Sequence, residues 1–235
     1  MRLHAPPAVL IGLSVIFLGG CAHLSAEPVR AQVVDESGQP VPGVVVVAYW
    51  ELHKGSFTGD ALPCGAADVE ESVTGQDGRF EIPSWGPVWS SCDMPGYNPW
   101  LTLFKSGYYP VGLNNDSADS LETVSVSRSI WNGKTITLRK YPSVDLTKVQ
   151  SPSYRSEFSG MNQTLENFIV NFPSECNWKK IPNMLRAIYS QERQFEAVGH
   201  GLDTIPGMLI TNDKFMVKVA PKCGSPKAFI EGLVK

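Results

Sequence analysis

The stretch "SGQPVPGVVVVAYW", Ser37 to Trp50, sets two glycines and two prolines directly before four consecutive valines. Glycine reaches positive φ that other residues resist and proline fixes its own φ, so the first half reads as a shaped turn. The second half reads as a strand. Because Val44 to Val47 are all apolar, that strand is expected to be covered on both faces, as a central strand is.

Working outward, "VRAQVVD" upstream alternates with Val29, Ala31 and Val33 on one face, and "ESGQPVPG" turns the chain. Downstream comes a polar insertion from Glu51 to Val69 that carries Cys64. In "SVTGQDGRFEIP", Gly75 to Gly78 are expected to make a tight hairpin with Asp77 and Gly78 in a primed turn, and Phe80 and Ile82 share a face. A Trp-rich connection leads into "WLTLFKSGYYPVGL", a strand followed by a turn. "NNDSADS" is a loop, "LETVSVS" a further strand, and "KTITLRK" closes the unit with Ile136 and Leu138 on one side. This is a mainly β chain, a β-sandwich of about seven strands in two sheets.

From about Pro142 the period changes. Phe158, Met161, Leu165, Phe168, Ile169 and Phe172 recur at helical spacing, and "IPNMLRAIYSQERQFEAVG" is a second helix with Pro182 in its first turn and Gly199 as its stop. "GMLITNDKFMVKVA" is expected to form a small hairpin turning at Asn212 and Asp213. Ser225 caps a last helix that has Pro226 at its first position. The expected C-terminal region is therefore small and α or α+β.

The N-terminus reads as a targeting segment: Arg2, an apolar run from Ala8 to Phe17 too short to span a bilayer, then "LGGC" at Leu18 to Cys21. "LGGC" resembles the bacterial lipobox, which implies that Cys21 is acylated and becomes the first mature residue. With Ala22 rather than Asp next, the resemblance points to the outer membrane. The expected organisation is a signal segment over 1–20, a polar tether over 21–28, a sandwich over 29–141 and a C-terminal region over 142–235. With one of five cysteines assigned to lipid, Cys64, Cys92, Cys176 and Cys223 form an even set with three possible pairings, as suits an oxidising compartment. Local pairing, Cys64 with Cys92 and Cys176 with Cys223, is one of the three. A four-cysteine metal site is the alternative, without C-x-x-C spacing to support it.

Two segments together resemble the carboxypeptidase regulatory-like domain, a transthyretin-like sandwich. These are the "G-x-P-V-x-G-V-x-V" pattern at Gly38 to Val47 and the "T-x-x-D-G-x-F-x-I" pattern at Thr74 to Ile82; "KSGYYP" at Lys105 to Pro110 fits the family's later turn. The resemblance implies a fold and no chemistry of its own. Zinc carboxypeptidases need three protein ligands for the metal, and transthyretin-like hydrolases and sandwich-fold dioxygenases depend on several histidines. After the targeting segment this chain has only His23, His53 and His200. "HGLD", His200 to Asp203, has a ligand-like spacing but sits between glycines at a helix end, where a loop or cap is the simpler reading. "NNDSADS", Asn114 to Ser120, offers oxygen ligands yet lacks the central Gly and bidentate Glu of a calcium loop. No nucleophile elbow, phosphate loop or dinucleotide fingerprint is present.

With net charge −3 and 18% charged residues, electrostatic nucleic-acid binding is not expected. No cofactor is expected either. The remaining candidate is aromatic: Trp85, Trp89, Tyr97, Trp100, Tyr108 and Tyr109 crowd one segment, and such side chains either fill a core or, exposed together, grip a glycan or peptide. The reading is a lipid-anchored, non-catalytic binding or structural protein of the bacterial envelope, attached to the membrane and meeting an envelope protein or glycan. An accessory part of an envelope enzyme, its site in the C-terminal region, is the alternative.

Overall fold

The computed structural model describes residues 22–55, 60–90, 92, 99–115, 126–141, 152–197 and 203–234. Among these lie ten strands: β1 (Ala22–Ala26), β2 (Val29–Asp35), β3 (Val45–Gly55), β4 (Ala61–Val73), β5 (Arg79–Ile82), β6 (Trp85–Ser90), β7 (Trp100–Phe104), β8 (Val111–Leu113), β9 (Val126–Ser127) and β10 (Thr135–Leu138). Five α-helices follow, α1 (Pro152–Ile169), α2 (Pro182–Glu196), α3 (Ile205–Thr211), α4 (Asp213–Val219) and α5 (Pro226–Leu233). The strands form a four-stranded sheet in the order β4-β3-β7-β8, a three-stranded sheet β10-β2-β5 and a small sheet β6-β1-β9.

The valine run is central. β3 lies between β4 and β7, antiparallel to both, with Val45 opposite Val73 on one side and Phe104 on the other. Since successive side chains point to opposite faces, the run divides between two cores. Val44, Val46, Ala48 and Trp50 face the sandwich interior with Val33, Phe80, Ile82, Leu101, Leu103, Ile136 and Leu138. Val45, Val47 and Tyr49 face the other way, into a core completed by Phe158, Leu165 and Phe168 of α1, Trp178, and Met184, Leu185 and Ile188 of α2.

The two signature segments hold one another in place. Thr74 is buried; its hydroxyl donates to the Val41 carbonyl (2.7 Å) and accepts from the Val44 amide (2.8 Å). Its own amide donates to Val44 O and its carbonyl accepts from Gly43 N. Upstream, one Asp35 oxygen accepts from Ser37 N, Ser37 Oγ and Gln39 N while the other accepts from Lys140 Nζ at 2.6 Å, so a single carboxylate shapes the first turn. Gly38 and Gly43 take positive φ of 77° and 71°.

Several expectations are corrected. Residues 22–26 are not a polar tether: they form β1, with Leu24 and Ala26 buried, antiparallel to β6 and parallel to β9. Apolar side chains at every second position suffice for a strand once a partner edge is present. Within the polar insertion, β3 and β4 continue as a paired arm from Glu51 opposite Ala66 to Gly55 opposite Ala61. The turn at 75–78 is tight, with Gly78 N donating to Gly75 O, but it is neither a primed turn nor a hairpin. Among the described residues Cys176 is the one non-glycine with positive φ, so Gln76 and Asp77 do not have the φ values of a primed turn. The strands the turn joins, β4 and β5, belong to different sheets.

The segment "GMLITNDKFMVKVA" is helical, α3 and α4 meeting at Asn212. Thr204 caps α3 by accepting from Gly207 N, and the buried residues Ile205, Leu209, Met216 and Ala220 keep helical spacing. At the starts of the second and last helices the readings agree with the structure: Pro182 opens α2, and Ser225 caps α5 by accepting from Ala228 N; the expected stop of α2, Gly199, lies outside the described residues.

The helices are fastened to β4 by carboxylates. No side chain of its own start caps α2; Glu71 of β4 does so instead, accepting from Asn183 N (3.0 Å), Met184 N (2.6 Å) and Asn183 Nδ2 (2.8 Å). Lys180 pairs with Asp68 at 2.7 Å, and the Glu175 carboxylate accepts from Ala66 N. Burial pushes the Glu71 carboxyl up, against the hydrogen bonds from Met184 and Asn183 and the charge of Arg186. The cysteines pair locally, Cys64 with Cys92 and Cys176 with Cys223; the second bridge joins the segments that lead into α2 and α5.

Candidate functional site

The aromatic segment does not form one surface. Trp85 packs edge-on against Trp50 at 5.3 Å, beside the Cys64–Cys92 bridge. Tyr108 lies against the sandwich core with the Lys105 ammonium 5.7 Å from its ring centre. Trp100 and Tyr109 belong to the opposite, helical core, and Tyr109 lies beneath the Arg139 guanidinium at 4.3 Å and edge-on to Tyr141. Trp89 is 71% exposed, and Tyr97 lies outside the described residues. Four of the six therefore serve packing, on two different sides of the sheet, which is the core-filling alternative of the two.

Cys21, His200 and Asp116 to Ser120 also lie outside the described residues. The first residues of the oxygen-rich loop are structural. Asn115 is buried, donates through Nδ2 to the Pro99 carbonyl, and accepts through Oδ1 from Ser129 Oγ and Ile130 N. His53 is buried in the β3–β4 arm with Nε2 3.5 Å from Glu51.

Two clefts stand out. One, of about 650 Å³, lies on the outer side of the β10-β2-β5 sheet and is lined by Arg30, Gln32, Arg79, Glu81, Lys134 and Thr135, with Ser72 and Val73 from β4. Strand alternation creates it: Ala31 and Phe80 point into the core, and their neighbours point out. Arg30 pairs with Glu81 at 2.6 Å, and Arg79 lies 3.7 Å from Asp77. The hydrogen bond from Arg30 holds the Glu81 carboxyl below its usual range. Such a face can hydrogen-bond a polar group. In the sequence Arg30, Gln32, Arg79 and Glu81 are only the polar half of "VRAQ" and "GRFE", which marks an outward face and not a cleft.

The other cleft, of about 520 Å³, lies where α2 meets α3 and brings Asp203 together with Glu192 and Glu196. The convergence has a structural cause. Thr204 Oγ1 donates to Glu192 Oε2 at 2.7 Å and accepts from Gly207 N, so Glu192 steadies the cap of α3. Burial pushes its carboxyl up, Thr204 pulls it down, and the nearby Glu196 charge raises it further. Among the described residues no group of three or more His, Cys, Asp or Glu side chains is placed to hold a metal ion.

No protein-family model and no curated protein sequence matches the chain. Among solved structures it is similar to 3-chlorocatechol 1,2-dioxygenase from Rhodococcus opacus 1CP, at 18% identity and TM-score 0.29 over 52% of this chain and 62% of that one. Catechol 1,2-dioxygenase from Pseudomonas arvilla C-1 matches at 14% identity and TM-score 0.33, over 54% of this chain and 56% of that one. A group B streptococcus pilus 2b backbone protein matches at 14% and 0.26, over 50% and 42%. The chain thus spans less than two thirds of each. Likenesses this loose fix neither a family nor a chemistry.

Proposed function

We propose that this chain is a lipid-anchored protein of the bacterial cell envelope, held at the outer membrane through Cys21, and that its regulatory-like sandwich and helical cover serve binding or envelope assembly without catalysis. One observation carries the reading. Four of the five cysteines are spent in two local bridges, which leaves over the cysteine that ends "LGGC" behind an apolar run. Bridges of this kind persist in oxidising compartments. Among the described residues no helix is long and apolar enough to cross a membrane. The likeness to regulatory-like domains is supported by Thr74, which ties the two signature segments into one hydrogen-bonded unit. A second reading, an accessory part of an envelope enzyme, rests on the carboxylate cleft between α2 and α3.

The test is Cys21→Ser. In cells fed a labelled fatty acid the parent chain takes up label and fractionates with the outer membrane, and the variant does neither. A variant that still fractionates there sinks the anchor.

A further inference from the structure

On α4 the side chains divide sharply. Met216 is buried in the helical core, while Lys214, Phe215, Lys218 and Val219 share the solvent face, and Lys222, just beyond the helix, is exposed as well. Phe215 is 60% exposed and Val219 38%. None of the three lysines is in an ion pair with a described residue. Two acids of α4 and α5 are engaged elsewhere: Asp213 accepts from Ser225 Oγ and Lys227 N, and Glu231 lies 3.9 Å from Lys227. An exposed aromatic and a valine among unpaired lysines match the interface of an anionic lipid leaflet, where apolar side chains enter the headgroup boundary and lysines remain at the charged surface.

The position of this face in the chain of contacts fits the same occupant. β1, which begins one residue after Cys21, packs through Leu24 with Leu52 and the Cys64–Cys92 bridge. The next residues of β4, Gly65 and Ala66, meet Glu175. Glu175 precedes Cys176, whose bridge partner Cys223 follows Lys222 directly. A short path thus links the anchor strand to the basic face. On the same strand pair, exposed Trp89 stands opposite His23, and Trp is a side chain suited to the membrane interface.

We propose that the α4 face formed by Lys214, Phe215, Lys218, Val219 and Lys222 is a second membrane contact that lays the protein against an anionic phospholipid surface. This rests on the lipid anchor proposed above, which holds the chain close to that surface.

The experiment takes the full protein isolated from membranes and reconstituted into vesicles of phosphatidylcholine, with or without phosphatidylglycerol. Lysines are acetylated in a timed pulse and read by mass spectrometry, which in the same run reports whether Cys21 carries lipid. A lysine near an anionic surface gains about fivefold in surface affinity. Lys214, Lys218 and Lys222 are therefore expected to label at least about fivefold more slowly than Lys134 when phosphatidylglycerol is present, and to lose that protection at high salt. In Phe215→Ser/Val219→Ser the protection should fall while the two disulfides remain. Labelling equal to Lys134 in both vesicles overturns the proposal. Protection that grows with protein density in phosphatidylcholine alone also overturns it, because the face would then be an interface between copies. A lipid-free Cys21 overturns the anchor instead, and that result is separate from the lysine pattern.

Discussion

The two faces of β3 solve the same burial problem by different means. On the inner face Val44, Val46, Ala48 and Trp50 meet strands fixed by backbone register and by turns that hydrogen-bond one another through Thr74. On the outer face Val45, Val47 and Tyr49 meet helices that lie far along the chain and are held to β4 by side-chain carboxylates. An antiparallel sheet commonly leaves its outer face to water, with polar side chains there. Four valines in a row forbid that arrangement, so the helical region is a structural requirement of the sheet.

The largest effects should come from breaking each core in turn. Leu101 is fully buried in the sandwich, and Phe168 is buried in the helical core, stacked on Tyr49 with ring centres 4.6 Å apart. Leu101→Ala should cost about 2–5 kcal/mol and Phe168→Ala about 3–5 kcal/mol. Because β3 belongs to both cores, each variant is expected to lower one shared thermal transition, followed by circular dichroism at helix and strand wavelengths. If Phe168→Ala melts the helices early while the strands unfold at the parent temperature, the region after residue 142 is a separate cooperative unit.

What the sequence displayed differs between the two faces for the same reason. Alternation in "VRAQVVD" and "KTITL", the turn residues before Val44 and the periodic apolar residues of α1 are local signals, and each appears in the structure in its place, except that α1 ends at Ile169 and leaves Phe172 beyond it. The local cysteine pairing was one of three open choices, and the fold selects it. β1 was not visible because a five-residue strand whose apolar side chains are one leucine and two alanines gains its identity from the β6 edge. α3 and α4 were misread because "TND" resembles a hairpin turn, whereas the decisive groups are the Thr204 cap and the Ser225 contact to Asp213. Polar outward residues such as Arg30 and Arg79 carry no pattern that announces a cleft, and Glu71 gives no local sign that it caps a helix over 110 positions away.

That distant cap is the next place to press. Glu71→Ala removes the acceptor of two backbone amides at the start of α2 and should cost about 1–2 kcal/mol, the usual range for a lost helix cap. Hydrogen exchange should rise at the first turn of α2 and leave β2 and β5 unchanged. Equal loosening of all three would show that Glu71 acts on the whole fold.

The smallest effect concerns acid. Burial raises the carboxyls of Glu71 and Glu192, and of Glu70 beside Asp68, so the folded chain keeps these protons to higher pH than the unfolded chain does. Their contribution to stability is therefore complete below the ordinary glutamate value of 4.5 and is lost as pH rises through the raised folded values. Asp35 has the opposite sign. The hydrogen bond from Lys140, followed by those from Ser37 and Gln39, holds it well below 3.8, so its contribution is present above that value and is lost only as pH falls through its depressed folded value. Denaturant midpoints measured across pH should separate the two. Glu71→Gln/Glu192→Gln flattens the slope above 4.5 and leaves the acid limb, while Asp35→Asn reduces the acid limb alone. Asn183 N and Met184 N donate to different oxygens of Glu71, so Gln keeps an acceptor for only one of them; the first variant is therefore read from the slope with pH and not from the absolute midpoint. An unchanged slope above 4.5 would mean that water reaches both carboxylates in the folded chain.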